Sequence, residues 1–226
     1  PWRRIEWCIP PDANGEFVWR MEDVLDVYHR PYNPRFPVVC VDESAKQLVD
    51  DVRPGLPMEP GKPERYDSHY RRNGTCNLFL CCEPLRGWRH VKVTARRTKI
   101  DFAELIRELV DVHYLEAQRI VLVLDNLNTH TPGALYEAFE AAEAKRLCGR
   151  LEIHYTPKHG SWLNIAEIEI AALSRQCLQR RVPDQGTLRQ EVRAWQRRRN
   201  HQRRTIQWTF TRQDADRKLG RHYVSK

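Results

Sequence analysis

The sequence predicts an α/β fold: a mixed central sheet with helices packed on it and a helical tail. Three observations predict it. "RIVLVLDN" (119–126) carries five consecutive apolar residues ending at Asp125, as in a strand covered on both faces. "KIDFAELIRELVDVHYL" (99–115) is amphipathic, with Phe102, Leu105, Ile106, Leu109 and Val110 on one face at helical spacing. Strand-like and helix-like segments then alternate along the chain, the pattern of a layered sheet-and-helix domain.

The elements follow in order. Residues 1–20 read as irregular, with "PPDANG" as a turn signal. "MEDVLDVYHR" (21–30) reads as a short helix ended by Pro31 and Pro34. "PVVCVDES" gives a buried strand over 38–42, and residues 44–74, rich in Pro, Gly and charge, read as a surface insertion. "TCNLFLCCEPL" (75–85) and "WRHVKVTARR" (88–97) predict a hairpin with its turn near Arg86-Gly87. The amphipathic helix follows, with Asp101 as its cap and Glu104 completing a capping box. After the apolar strand, Thr131 caps a helix running to 148, with Pro132 at its first position and Gly149 as its stop. "LEIHYT" alternates as a short strand, and helices are expected near 163–178, 186–203 and 211–221. The domain plan is an N-terminal extension over 1–34, a core over 35–180 and a basic helical extension of the same domain over 181–226.

Composition narrows the function. At 41 % hydrophobic and 30 % charged the chain should fold and stay soluble. No apolar run approaches the ~18 residues that span a membrane, so no membrane partner is expected. Seven cysteines, an odd number with no C-x-x-C pair, argue against a disulfide scaffold and a cysteine zinc site, and point to reducing cytoplasm. A start at Pro1 and not Met is expected of a piece of a longer protein. The net charge is +8 and the pI near 9.3, and nine Arg against Asp184 and Glu191 concentrate much of the excess between 179 and 204. That clustering points to a polyanion, most simply DNA.

Two strands end on an aspartate, Asp42 and Asp125. A lone aspartate there is usually a cap or turn former. Ligands in open α/β sheets bind beyond strand C-termini. If the strands are neighbours, the two carboxylates repel each other unless a cation lies between them, and a hard divalent ion suits such oxygens. A third carboxylate from a helix start would complete a two-metal site for phosphoryl transfer. Glu43 would face the other side of the strand. "PKHGSWLNIAEIEI" (157–170) offers two acids, Glu167 and Glu169, about 200° apart on a helix, so only one can face the aspartates. Apolar neighbours flank both, and periodicity does not choose.

"VVCVDES", "IVLVLDNLNTH", "PKHGSWLNIAEIE" and "WTFTRQDADRKL" resemble the IS630 branch of the IS630/Tc1/mariner transposases, from about residue 15 to the end. The resemblance implies an RNase H-like (ribonuclease H-like) DDE catalytic domain holding two Mg²⁺ (or Mn²⁺) on Asp42, Asp125 and Glu167. Glu167 stands three residues after Asn164, where the family carries its third acid. The 41 residues between Asp125 and Glu167 exceed the family spacing, and the helix over 131–148 would absorb the surplus. The resemblance further implies cut-and-paste transposition: strand cleavage at terminal inverted repeats, 3′-hydroxyl transfer into a TA target, and action as a homodimer in the bacterial cytoplasm. Nothing in residues 1–30 supplies the family's helix-turn-helix modules, so the chain resembles the catalytic domain alone.

Around the acids, each further residue has two readings. Asn126, Asn128 and His130 either meet phosphate or a metal-bound water, or shape the turn after the strand. Lys158, His159 and Ser161 precede a helix and form a phosphate-binding corner or a solvated loop. Asn164 supports the helix start. Arg197, Arg198, Arg199, Arg203 and Arg204 contact DNA backbone or form a solvated helix face. Trp162 stacks on a base or, more commonly at a helix start, packs in the core. His69, His90, His113, His201 and His222 show no ligand-like spacing. The rival functions are another RNase H-like metal-dependent nuclease or integrase, and an inactive DNA-binding relic.

Overall fold

The computed structural model describes residues 14–53, 55–65 and 67–220. The "PPDANG" turn up to Ala13, Cys8, His222 and the end of the last expected helix lie outside the described residues. Five strands form one sheet in the order β3-β2-β1-β4-β5. They are β1 (Val38–Asp51), β2 (Tyr70–Glu83), β3 (Trp88–Thr94), β4 (Ile120–Leu124) and β5 (Leu151–Tyr155). β1, β2 and β3 are antiparallel neighbours, whereas β4 runs parallel to both β1 and β5. The sheet is therefore mixed, as the sequence predicts.

Among the described residues seven α-helices cover it: α1 (Gly15–Tyr28), α2 (Lys99–Glu108), α3 (Pro132–Ala138), α4 (Ala141–Cys148), α5 (Ile165–Cys177), α6 (Gln185–Gln202) and α7 (Arg212–Leu219). Strand alternation divides the core into two layers. Cys40, Leu78, Leu80, Val121 and Val123 face α1, α5, α6 and α7, while Val39, Val41, Phe79, Cys81, Leu122 and Leu124 face α2, α3 and α4. β4 is buried along its whole length because it serves both layers.

Several boundaries differ from the sequence reading, each for a local reason. α1 begins at Gly15, not 21, because Asn14 caps it by accepting from the Glu16 and Phe17 amides. It buries Phe17, Met21, Val24, Leu25, Val27 and Tyr28, so the core starts well before residue 35. The insertion over 44–74 is shorter than expected. β1 runs on to Asp51 and β2 starts at Tyr70, pairing as a long hairpin arm with an irregularity between Gln47 and Val49. Polar residues fill that arm because it projects past the core, which hides the strand pattern.

The cap of α2 is Thr98, which exchanges bonds with Asp101 in a capping box, and Glu104 pairs with Arg107 instead. α2 continues into a π-helical turn, Leu109–His113. The helix expected over 131–148 breaks at Phe139 and Glu140 into α3 and α4, so a bent pair absorbs the extra spacing. Thr131 makes no side-chain cap bond, leaving Pro132 as the start signal.

The C-terminal segment packs as part of the same body. Trp195, Ala215 and Leu219 are buried in the α5-side core, and Trp208 packs against Tyr28 at 5.2 Å between ring centroids. Gly87, at φ +70°, lies so close to the Arg203 backbone that a β-carbon would sit 2.7 Å from its carbonyl carbon. That approach docks the start of the tail on the β2–β3 turn. Cys40, Cys76, Cys81, Cys82, Cys148 and Cys177 are free thiols. Among the described residues no helix is long and apolar enough to cross a membrane.

Candidate active site

The register of two parallel strands brings the aspartates together. β1 and β4 pair at Val38–Val121, Val39–Leu122 and Cys40–Val123. Two residues further along each chain are Asp42 and Asp125, on the same face as Cys40 and Val123 by alternation. That face is the one α5 covers.

Asn164 fixes the start of α5 against β1. Its Oδ1 accepts from the Ala166 amide at 3.1 Å, and its Nδ2 donates to the Val41 carbonyl at 3.0 Å, one residue before Asp42. Tyr28 adds a second tie, donating to the Leu163 carbonyl at 2.7 Å. Glu167 lies in the first turn of the helix so anchored. Asp42 senses the cluster: burial and the charges of Asp125, Glu43 and Glu167 raise its pKa to about 7, against a bond from the Glu43 amide that favours the carboxylate.

Glu169 does something else. It is 1 % exposed and accepts from Arg89 at 2.6 Å and from Arg199 at 2.8 Å. It is the anion of a buried structural ion cluster joining α5, β3 and α6. This also relocates Arg199, whose side chain is 11 % exposed and turned onto Glu169, not onto solvent.

His130 is fully buried, which removes it from direct contact with phosphate. Its Nδ1 lies 2.5 Å from Asp125 Oδ1, and its Nε2 lies 2.8 Å from Glu43 Oε2 in a charge contact poorly aligned for a hydrogen bond. Burial disfavours its charged form, but the Asp125 bond and the charges of Glu43 and Asp125 win and raise its pKa to about 9. Burial would raise the pKa of Asp125, yet the His130 bond and charge and the Leu127 amide bring it below the ordinary value. Glu43 points to the opposite face, as alternation requires, and pairs there with Arg97 at 3.2 Å. A pattern search for strand-end acids has no means of finding His130's two-sided contact.

The remaining candidates divide by exposure. Asn126 shapes the turn, donating to the Thr156 carbonyl at 2.5 Å and accepting from Arg20. Asn128 is exposed. Lys158, His159 and Ser161 are exposed beside Gly160, with His159 at φ 63°. Arg197, Arg198, Arg203 and Arg204 are exposed. Trp162 packs edge-on against Phe210 at 5.8 Å and belongs to the core margin.

Asp125 and Glu167 lie near enough for their charges to oppose ionisation of Asp42, and carboxylates are the oxygen donors that a hard divalent cation takes. The order of the mixed sheet and the helices on its two faces define the class: an RNase H-like fold. The chain belongs to the DDE superfamily endonucleases, whose family model matches residues 37–189.

Solved structures agree on the fold. A Mos1 mariner paired-end complex with Mn matches at TM-score 0.56 and 14 % identity, over 89 % of this chain and 63 % of that one. A pre-cleavage Mos1 transpososome matches at 0.59 and 13 %, over 100 % and 68 %. The catalytic domain of Mos1 mariner transposase matches at 0.52 and 12 %, over 87 % and 92 %. The chain thus has the fold of a Tc1/mariner-type transposase catalytic domain and spans less than two thirds of the first chain it matches. Among curated protein sequences nothing matches it.

Proposed function

We propose that this chain is the catalytic domain of an IS630-type DNA transposase, which cleaves DNA at transposon terminal inverted repeats and transfers the freed 3′-hydroxyl into a TA target. The observation that supports this reading most is the β1–β4 register, which, two residues beyond the Cys40–Val123 pair, reaches Asp42 and Asp125, with the Asn164 tie setting the start of α5 beside β1. Asp42, Asp125 and Glu167 would hold two Mg²⁺ or Mn²⁺ ions. When bound, such ions supply positive charge to the attacking and leaving oxygens of an in-line phosphoryl displacement.

The protein's own groups do the rest. Asn164 holds Glu167 in register with Asp42, and Asn126 and Asn128 flank the second acid. His130 keeps Asp125 ionised and oriented from the buried side. Lys158, His159 and Ser161, with Arg197, Arg198, Arg203 and Arg204, offer exposed donors to the DNA backbone. One of the matched Mos1 structures is a paired-end complex, which supports DNA as the partner and a homodimer as the working form; the reading places that work in the bacterial cytoplasm.

An RNase H-like nuclease or integrase would share the fold and the acids, and an inactive DNA-binding relic would keep only the basic surface. The test is cleavage and strand transfer on terminal-repeat DNA with Mg²⁺, comparing the wild type with Asp125→Asn. Mg²⁺-dependent nicking and joined products lost in the variant are expected. Joining with Asp125→Asn at the wild-type rate would sink the metal-triad reading. Cleavage without joining would favour the nuclease.

A further inference from the structure

On the other layer, away from the acid triad, three side chains converge that neither the sequence spacing nor the proposed reaction uses. His90 lies on β3, Glu108 ends α2, and His113 ends the π-helical turn. His90 Nε2 is 3.1 Å and His113 Nε2 3.7 Å from the same oxygen, Glu108 Oε1. All three ligand atoms lie within 4.8 Å of one another. We infer that His90, Glu108 and His113 form a structural binding site for a borderline transition-metal ion, Zn²⁺ in particular, that clips α2 to the edge strand β3.

The local backbone is what makes the site. On α geometry residues five apart lie about 140° apart around the axis. The turn over Leu109–His113 widens it, with Tyr114 donating to the Leu109 carbonyl at i−5, and brings Glu108 and His113 to one side. π turns of this kind recur at functional positions. Tetrahedral zinc with bonds of about 2.0–2.1 Å sets its ligand atoms about 3.3 Å apart, close to the two separations seen here.

The donor atoms are poised for it. The Nε2 atoms of His90 and His113 are both buried and make no aligned hydrogen bond. Trp88 stacks on His90 and tilts onto His113, which fixes both rings. Burial favours the neutral, ligating form of both imidazoles. Glu108 Oε2 is held by Lys92 at 3.0 Å, leaving Oε1 for the ion. Arg189 and Arg193 line the adjoining depression, so this is no general attractor of cations. Two imidazole nitrogens among three donors favour Zn²⁺ over Mg²⁺.

The test uses the whole chain. Zn²⁺ added to chelator-treated protein should bind one equivalent here and raise Tm by roughly 3–8 °C at saturation, reversed by chelator. Co²⁺ at the same site should give visible absorption bands. His90→Gln and His113→Gln should remove the bands and the Tm rise, whereas Asp125→Asn should keep both. Should the glutamine variants fail to fold, X-ray absorption on the wild type with one equivalent of Zn²⁺ counts the ligands. Two imidazoles support the site. Bands lost in Asp125→Asn but kept in His113→Gln, no imidazole about the zinc, or no rise in Tm would each overturn it.

Discussion

Arg89 and Glu169 meet at 2.6 Å with both side chains 1 % exposed, which makes Glu169 the anchor of a buried ion pair two residues from the proposed metal ligand Glu167. Removing one partner of such a pair leaves a buried charge uncompensated. Glu169→Gln should therefore destabilise the fold by about 3–5 kcal/mol while sparing cleavage per folded molecule. Glu167→Gln should abolish cleavage and leave Tm within a degree or two. Urea denaturation and end-cleavage assays on both variants check this, and the reverse pattern would mean that the acids are misassigned.

His130 predicts a pH dependence. Folding raises its pKa from an ordinary 6.5 to about 9, so it binds its proton more tightly in the folded state. Its contribution to stability is complete below about pH 6.5 and is lost as pH rises through 9. In metal-free protein, wild type should exceed His130→Gln by on the order of 3 kcal/mol at pH 6, shrinking steadily by pH 10. A gap that widens with pH would be inconsistent with the buried bridge.

Asp42 has the opposite consequence. Its folded pKa, about 7, lies above the ordinary carboxylate value, so ionising it costs stability, in full above pH 7. Asp42→Asn should stabilise the metal-free protein at pH 8 by on the order of 4 kcal/mol. It should also remove the stabilisation by Mg²⁺ and the cleavage. Thermal melts with and without Mg²⁺ read both effects.

Asn164 links helix start and strand. Asn164→Ala removes the cap on Ala166 and the bond to Val41, at a cost of about 1–2 kcal/mol. Cleavage by the folded variant should fall by ~10–100-fold, because Glu167 loses its register with Asp42. Wild-type turnover in a destabilised variant would make the tie purely structural.

The basic segment divides by exposure. If Arg198 and Arg204 each neutralise a phosphate, the double Ala variant should reduce the slope of log affinity against log salt by about 2. Arg199→Ala should leave that slope unchanged and lower Tm, because Arg199 serves Glu169. Salt-titrated DNA binding separates the two.

Much of the fold is legible in residue patterns. The α2 stripe from Phe102 to Val110 is buried as spaced, and the five apolar residues of β4 are covered on both faces. The β2–β3 hairpin turns at Gly87 as its glycine indicates. Harder to read were elements whose local signals oppose their state. Residues 15–20 of α1 followed turn-rich residues, and the outer arm of β1 and β2 is polar because it leaves the core.

The sequence by itself determined the α/β layering and the apolar runs that lead into Asp42 and Asp125, because burial periodicity is a property of short segments. That β1 continues past Asp42 to Asp51, so that Asp42 lies inside a strand and not at its end, came only with the β1–β2 pairing. Only the tertiary structure decided what those acids meet. The β1–β4 register aligned Asp42 with Asp125. Packing of β3 and α6 against α5 gave Glu169 to two arginines, a use that periodicity could not reveal, while the charge of Glu167 is felt at Asp42. The same long-range packing buried His130 between Asp125 and Glu43 and brought His90 to Glu108 and His113. Partners 18 or more residues apart meet only when the sheet and helices close on one another, and no local pattern encodes that meeting.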